Sequence, residues 1–178
     1  VVLSRQVHRD DVRVVTAEDA GKGLWRPRDY DSADALVTDV PGLALIVFSA
    51  DCNVLLLHDP VRHVIGAAHA GWRGTAAGIA GKTARVMGEV YGCRMEDIRA
   101  AVGPAIGQCC FETDGDVPEA LRAALGAAAE SYMVWNGTKW HIDLKGVNAL
   151  WLRREGVTHI DICGDCTACR PDLYWSHR

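Results

Sequence analysis

No basic run in the 178-residue sequence is longer than two residues. Proteins that grip the phosphate backbone of nucleic acid carry a basic patch or stripe. With 19 Lys and Arg against 23 Asp and Glu, the net charge is −4, and a nucleic-acid partner is not expected. Long apolar runs are missing too. The longest mostly apolar stretch, Pro41 to Ala50, falls well short of the ~20 residues a membrane-spanning helix needs. Val1 to Val15 has neither the basic start nor the apolar run of a secretory signal. The expectation is a cytoplasmic protein without a membrane partner. Internal repeats, low-complexity segments and linkers are also absent, so residues 1–178 read as one catalytic domain. A chain of this size buries roughly 70% of its unfolded surface and needs no staple to fold.

What the sequence does have is cysteine. Seven are present, an odd number in a chain without a signal, which argues against an extracellular disulfide framework. The plain reading is a set of buried free thiols in a reducing compartment. The sharper one is that some are metal ligands or nucleophiles, and position must decide.

Hydrophobic periodicity predicts a mixed α/β (α+β) domain. Val12 to Thr16, Ala35 to Val40, Leu43 to Ala50, Val54 to His58, His63 to Ala68, Ile98 to Val102, Trp140 to Leu144 and His159 to Cys163 read as strands. Thr75 to Tyr91, with Ile79, Thr83, Val86, Met87 and Val90 three and four apart, reads as an amphipathic helix stopped by Gly92. Val117 to Ala129 and Val147 to Arg154 are two further helices, and Glu18 to Ser32 a polar surface loop.

Reactive residues cluster around strand ends, where loops leave a rigid platform. The run Leu43 to Ala50 leads into Asp51-Cys52, and His63 to Ala68 leads into His69-Ala-Gly-Trp-Arg-Gly74. If neighbouring strands pair, Cys52 and His69 meet at one sheet edge. A helix opening at Gly74-Thr75, with Arg73 beside it, would present an anion site; alternatively Thr75 simply caps the helix. Gly103 to Glu112 contains a fixed turn and the adjacent pair Cys109-Cys110, either substrate-lining or structural. Adjacent cysteines are expected to send at most one side chain to a metal. Cys163, Cys166 and Cys169 are spaced as Cys-x-x-Cys-x-x-Cys, but no second Cys-x-x-Cys exists elsewhere to complete a four-thiolate set, which favours a structural or adventitious role.

Several motifs together resemble the polyphenol-oxidase-like family, once described as multicopper laccases and regarded as zinc-dependent purine nucleoside phosphorylases with adenosine deaminase activity. The motifs are Arg5-Gln-Val-His8, Ala33-Asp-Ala-Leu-Val-Thr38, Ala50-Asp-Cys52, His69-Ala-Gly-Trp-Arg-Gly-Thr75, Gly103 to Glu112, Cys166-Thr167 and Tyr174-Trp-Ser-His-Arg178. The resemblance implies a layered α/β/β/α-type domain with mixed sheets and a zinc site formed by His8, Cys52 and His69. It also implies purine nucleosides and phosphate as substrates, with Arg5, Arg73, Thr75 and Cys109 as candidate binding residues. Three protein ligands leave a fourth zinc position open, and a zinc-activated water there would suit deamination of adenine. A laccase needs further copper centres and more than seven His, and no His-x-His pair occurs. Copper is therefore expected only by substitution, with phenol oxidation as a side reaction. The sequence departs from the family pattern in having Val54 two residues after Cys52 where Pro is usual, and in the additions Cys163 and Cys169. The family's N-terminal section and short C-terminal strand are expected to be missing, and the oligomeric state is left open.

Two other classes compete. One is a metal-free hydrolase or deamidase with Cys52 as nucleophile and His69 as base, for which His8 has no use. The other is a non-enzymatic zinc module built on Cys163, Cys166 and Cys169, against which the acidic balance and the absent fourth ligand both count.

Overall fold

A computed structural model describes all 178 residues. Its centre is a six-stranded mixed sheet. In chain order the strands are β1 (Val2–Leu3), β2 (Val12–Val14), β3 (Ala35–Thr38), β4 (Leu45–Ile46), β5 (Asn53–Asp59), β6 (Val64–Ala70), β7 (Arg99–Val102), β8 (Glu112–Thr113), β9 (Met133–Trp135), β10 (Trp140–Ile142) and β11 (His159–Ile162). The central sheet runs β11-β7-β5-β6-β3-β2, parallel at its two outer pairs and antiparallel within. A second sheet runs β8-β10-β9, and β1 pairs with β4. The helices are α1 (Trp72–Ala76), α2 (Ile79–Tyr91), α3 (Asp116–Leu125) and α4 (Leu144–Glu155). The α+β class expected from the sequence is what the chain adopts.

Strand β5 shows why one sheet face carries the core. Asn53, Leu55, Leu57 and Asp59 are buried while Leu56 and His58 are exposed, the period-2 pattern of a strand covered on one side. Against that face lie Ile79, Ala80, Ala84 and Met87 of α2 and Leu152 of α4, all without solvent exposure. Each large aliphatic side chain so buried contributes roughly 1.5–3 kcal/mol. A second cluster packs Val117, Leu121 and Leu125 of α3 against Ile142, Leu144 and Val147.

Several elements differ from the sequence reading. The helix expected at Thr75 to Tyr91 is two helices, because Gly78 takes a left-handed φ of 81° that any side chain would strain. It also begins three residues earlier, at Trp72. Val90, assigned to its inner face, is exposed. The run Leu43 to Ala50 is not a buried strand: only Leu45–Ile46 pairs, and Phe48 is exposed. Helix α3 stops at Leu125, where Gly126 takes a positive φ and a 3-10 segment, Gly126–Tyr132, follows. Helix α4 is longer than expected, starting on an Asp143 side chain that accepts from the Gly146 amide and ending on left-handed Gly156. The polar segment Glu18 to Ser32 has an inner anchor, buried Asp19, bonded to Arg13, Lys22 and the Thr16 amide. No helix is long and apolar enough to cross a membrane.

Candidate metal and substrate site

Strands β5 and β6 pair with Val54 opposite His69 and Asn53 opposite Ala70. That register carries Cys52, at the mouth of β5, towards His69 near the end of β6. The juxtaposition expected from the sequence is present, though Cys52 enters a strand rather than leaving one. His8 arrives from the loop before β2. The donor atoms of His8, Cys52 and His69 all lie within 4.8 Å of one another. The two imidazole rings meet edge to face, with centroids 4.9 Å apart and planes at 87°.

Asp34 builds this meeting point. It is fully buried, and its two carboxylate oxygens accept the consecutive amides of Val7 (3.0 Å), His8 (3.0 Å) and Arg9 (3.1 Å). Three successive N–H groups folded around one anion form a nest. The nest puts His8 at a left-handed φ of 60°, a strained conformation for a residue with a side chain. The same carboxylate accepts His69 Nδ1–H at 2.9 Å, which leaves the lone pair of His69 Nε2 free for a metal. One buried carboxylate therefore positions the His8 backbone and orients the His69 ring. Burial lowers the His69 pKa, and the Asp34 bond offsets this only in part. Burial pushes the Cys52 thiol up, and the Asp51 and Asp34 charges add to that shift.

Asp51 is the matching device on the other side. Its φ is 79°, again left-handed. The strain is offset by Thr167 Oγ1 donating at 2.6 Å, Ser176 Oγ at 3.0 Å and the His177 amide at 2.6 Å. These bonds tie the end of the chain to the residue preceding Cys52. Beside them opens a pocket of ≈ 370 Å³, within the range of small-molecule sites, lined in part by Val54, Pro104, Tyr174 and Trp175. Gly71 closes the ligand group from below. A Cβ there would stand 2.8 Å from His8 Cδ2 and 3.4 Å from Cys52 Sγ.

The remaining candidates are placed differently. Arg73 is exposed, stacks over the Trp72 ring at 4.2 Å and has no carboxylate partner. Arg5 is exposed, with Nε donating to the Asp31 carbonyl at 3.1 Å. Thr75 is a correction: it lies inside α1 with no exposure, its amide donates to the Gly71 carbonyl, and its hydroxyl accepts from Asn148. It neither opens the helix nor presents a free N–H. Cys109 is not with His8, Cys52 and His69. It belongs to a second group, Cys109, Cys110, Cys166 and Cys169, again within 4.8 Å of one another. Both members of the adjacent pair reach this group, where the sequence reading expected at most one to point to a site, and they stand beside Cys166 and Cys169 although no second Cys-x-x-Cys exists in the sequence. The tertiary fold supplies the pair, and Cys163 stays outside. Asp34, Asp51 and Gly71 lay within the quoted motifs, but nothing in residue type marked them as positioning groups.

A family model described as multi-copper polyphenol oxidoreductase laccase matches residues 1–178. The chain belongs to this family. Among family relatives, the "Purine nucleoside phosphorylase YlmD" of Geobacillus stearothermophilus is 39% identical over 99% of this chain and 66% of its own length. A "Purine nucleoside phosphorylase" of Deinococcus radiodurans is 41% identical, covering 95% of this chain and 61% of its own. Among solved structures, a Bacillus licheniformis hypothetical protein YfiH superposes with a TM-score of 0.92 at 36% identity, covering 99% of this chain and 68% of the other. The chain spans about two thirds of the length of the YlmD proteins of Geobacillus stearothermophilus and Bacillus subtilis, 66% and 65%.

The donor set fits a metal. Two imidazole nitrogens and one cysteine sulfur, with one histidine oriented by a buried carboxylate, are a borderline-soft set suited to zinc with a position left open. The same atoms suit copper.

Proposed function

We propose that the chain is the catalytic domain of a zinc-dependent purine nucleoside phosphorylase, converting adenosine or inosine and phosphate into free base and ribose 1-phosphate, with adenosine deaminase activity at the same site. The observation that carries this reading is the gathering of His8 with Cys52 and His69. A Cys–His dyad has no use for a second imidazole held in a strained nest, whereas a metal does. The names of the relatives support the phosphorylase part.

His8, Cys52 and His69 would hold the zinc, and the bound ion supplies Lewis acidity at its open position. The other tasks fall to the chain's own residues. Asp34 keeps the His69 proton on Nδ1, fixes the direction of that ring and holds the backbone of His8 in place. Arg73, unpaired and stacked on Trp72, offers a guanidinium fork to phosphate, with Arg5 as a second cation. Phosphate held there attacks the ribose anomeric carbon as the bond to the purine nitrogen breaks, and the base leaves with that electron pair. Tyr174 and Trp175 offer flat apolar faces to the purine. Copper substitution at the same donors would account for phenol oxidation as a side reaction.

The test joins metal content to thiol reactivity. Zinc-replete protein should release base from inosine only with phosphate, lose that activity on chelation and regain it with zinc. Peptide mass mapping should find Cys52 slow to alkylate until the metal is removed. Rapid Cys52 alkylation in metallated protein, with turnover indifferent to chelators, would replace this reading with the thiol hydrolase.

A further inference from the structure

The chain holds a second thiol-rich centre that the nucleoside chemistry does not use. Cys109 and Cys110 sit in the turn after Ala105–Gly107, with the Cys110 and Phe111 amides donating to the Gly107 carbonyl. Cys166 and Cys169 form a second turn, in which the Cys169 and Arg170 amides donate to the Cys166 carbonyl. A bridge between Ala105 and Cys166 pins the two turns side by side. Beneath them Lys145, almost fully buried, donates to the Cys163 and Asp165 carbonyls and fixes the approach to Cys166.

The four sulfurs converge. Cys169 Sγ lies 3.4 Å from Cys110 Sγ and 3.7 Å from Cys109 Sγ, and the whole group fits within 4.8 Å. A tetrahedral zinc with Zn–S bonds of about 2.3 Å separates its sulfurs by about 3.8 Å, close to the spacing here. The Gly107 amide points at Cys166 Sγ at 3.2 Å, the kind of outer hydrogen bond that steadies a thiolate ligand. Gly107 is also the residue that makes room. A Cβ there would stand 3.1 Å from Cys166 Cβ and 3.2 Å from Cys109 Sγ.

We propose that Cys109, Cys110, Cys166 and Cys169 form a tetrathiolate site for one zinc ion, structural rather than catalytic. Four protein ligands leave no open position. An iron–sulfur cluster spreads its thiolates over more than one iron, and this group is too compact for that. A disulfide would engage two sulfurs and strand the others, whereas Cys169 is placed between both members of the adjacent pair. Zinc binding involves no redox change: thiol protons leave to solvent as the thiolates bind. The bound ion would clamp the Gly103–Glu112 segment to the end of the chain. It would thereby hold Thr167, the neighbour of Cys166, on the carboxylate of Asp51 next to Cys52.

Elemental analysis of the full chain, purified under reducing conditions, tests this. About two zinc ions per chain are expected, falling to about one in Cys166→Ser/Cys169→Ser and to about one in His8→Ala/Cys52→Ala. If the wild-type chain holds one zinc that survives His8→Ala/Cys52→Ala and vanishes with Cys166→Ser/Cys169→Ser, the tetrathiolate site stands and the catalytic zinc falls. Undiminished zinc in Cys166→Ser/Cys169→Ser overturns the proposal. Thiol mapping of the unaltered chain keeps the test open should that variant misfold. Cys109 and Cys169 are exposed, so burial cannot shield them. In zinc-replete protein they should alkylate at least tenfold more slowly than after chelation. Labelling at equal rates with and without chelator, or a disulfide among the four, overturns the proposal.

Discussion

Replacing Asp34 by Asn tests the idea that one buried carboxylate holds the His8 backbone and aims the His69 ring. Four N–H groups converge on its two oxygens: Val7 and Arg9 on Oδ2, His8 and His69 Nδ1 on Oδ1. An amide keeps one oxygen, so two of the four donors must face an NH2 group instead. Hydrogen bonds to a buried charge are worth about 1.5–3 kcal/mol each, and an unsatisfied buried donor costs a similar amount. Allowing for partial relaxation, the substitution should cost about 3–5 kcal/mol, a large share of the 5–15 kcal/mol typical of a domain. The nest at His8 would loosen and His69 would lose its fixed tautomer, so zinc affinity should fall by about 10–100-fold. Two measurements separate the effects. Urea denaturation in the presence of chelator reads the fold alone, and competition against a chromophoric chelator reads the metal site. An Asp34→Asn variant with an unchanged denaturation midpoint and zinc affinity within twofold of wild type would refute the reasoning.

Gly71→Ala should weaken zinc binding with little loss of fold stability, because φ of −66° suits alanine while the new methyl presses on His8 and Cys52; equal affinity by competition titration would show that the ring can swing aside. Arg73→Lys keeps the charge but loses the fork, so KM for phosphate should rise severalfold with adenosine deamination much less affected; equal loss in both reactions would assign Arg73 a packing role on Trp72 instead. Asp19 supplies a pH test. Burial alone would raise its pKa, but hydrogen bonds from Lys22, the Thr16 amide and Arg13 outweigh it and leave the folded-state value well below the usual carboxylate range. A depressed folded pKa contributes stability above the unfolded value near 4 and loses it as pH falls further. The stability deficit of Asp19→Asn in urea should therefore be full at pH 7 and shrink at pH 3; a deficit equal at both would mean that Asp19 acts by shape rather than charge.

Short apolar runs bounded by turn residues gave away the central strands β3, β5, β6, β7 and β11, although β3 and β6 lack the clean period-2 burial that β5 shows as a strand covered on one side. The 3.6-residue pattern likewise announced α2. Strands β1, β8 and β9 escaped notice, because two- and three-residue pieces exist only through their partners; β2 and β10, equally short, were found because each lies within a longer run read as a strand. Gly78 was visible but its effect was not. A glycine inside an amphipathic pattern does not declare whether it is packed closely or turned left-handed. His8, Cys52 and His69 were legible only as members of motifs, and their convergence follows from the β5–β6 register and the Asp34 nest. The four-thiol group was misread for a related reason. Cys109-Cys110 and Cys166–Cys169 lie far apart in sequence, and the Ala105–Cys166 bridge that brings them together is a tertiary event.

The order of the two donor groups along the chain has a consequence for the unfolded state. His8 to His69 and Cys109 to Cys169 subtend successive loops that neither overlap nor nest, each about 60 residues long. A cross-link closing a loop of that length withdraws conformational freedom worth about 4 kcal/mol at room temperature from the denatured ensemble. Because the loops are disjoint, closing one leaves the entropy of the other untouched, and the two contributions add. An ion at either position would therefore tether its own third of the chain during refolding without preorganising the other. In the fold the two loops meet where Thr167 donates to Asp51 and where Leu152 joins the core on the covered face of β5.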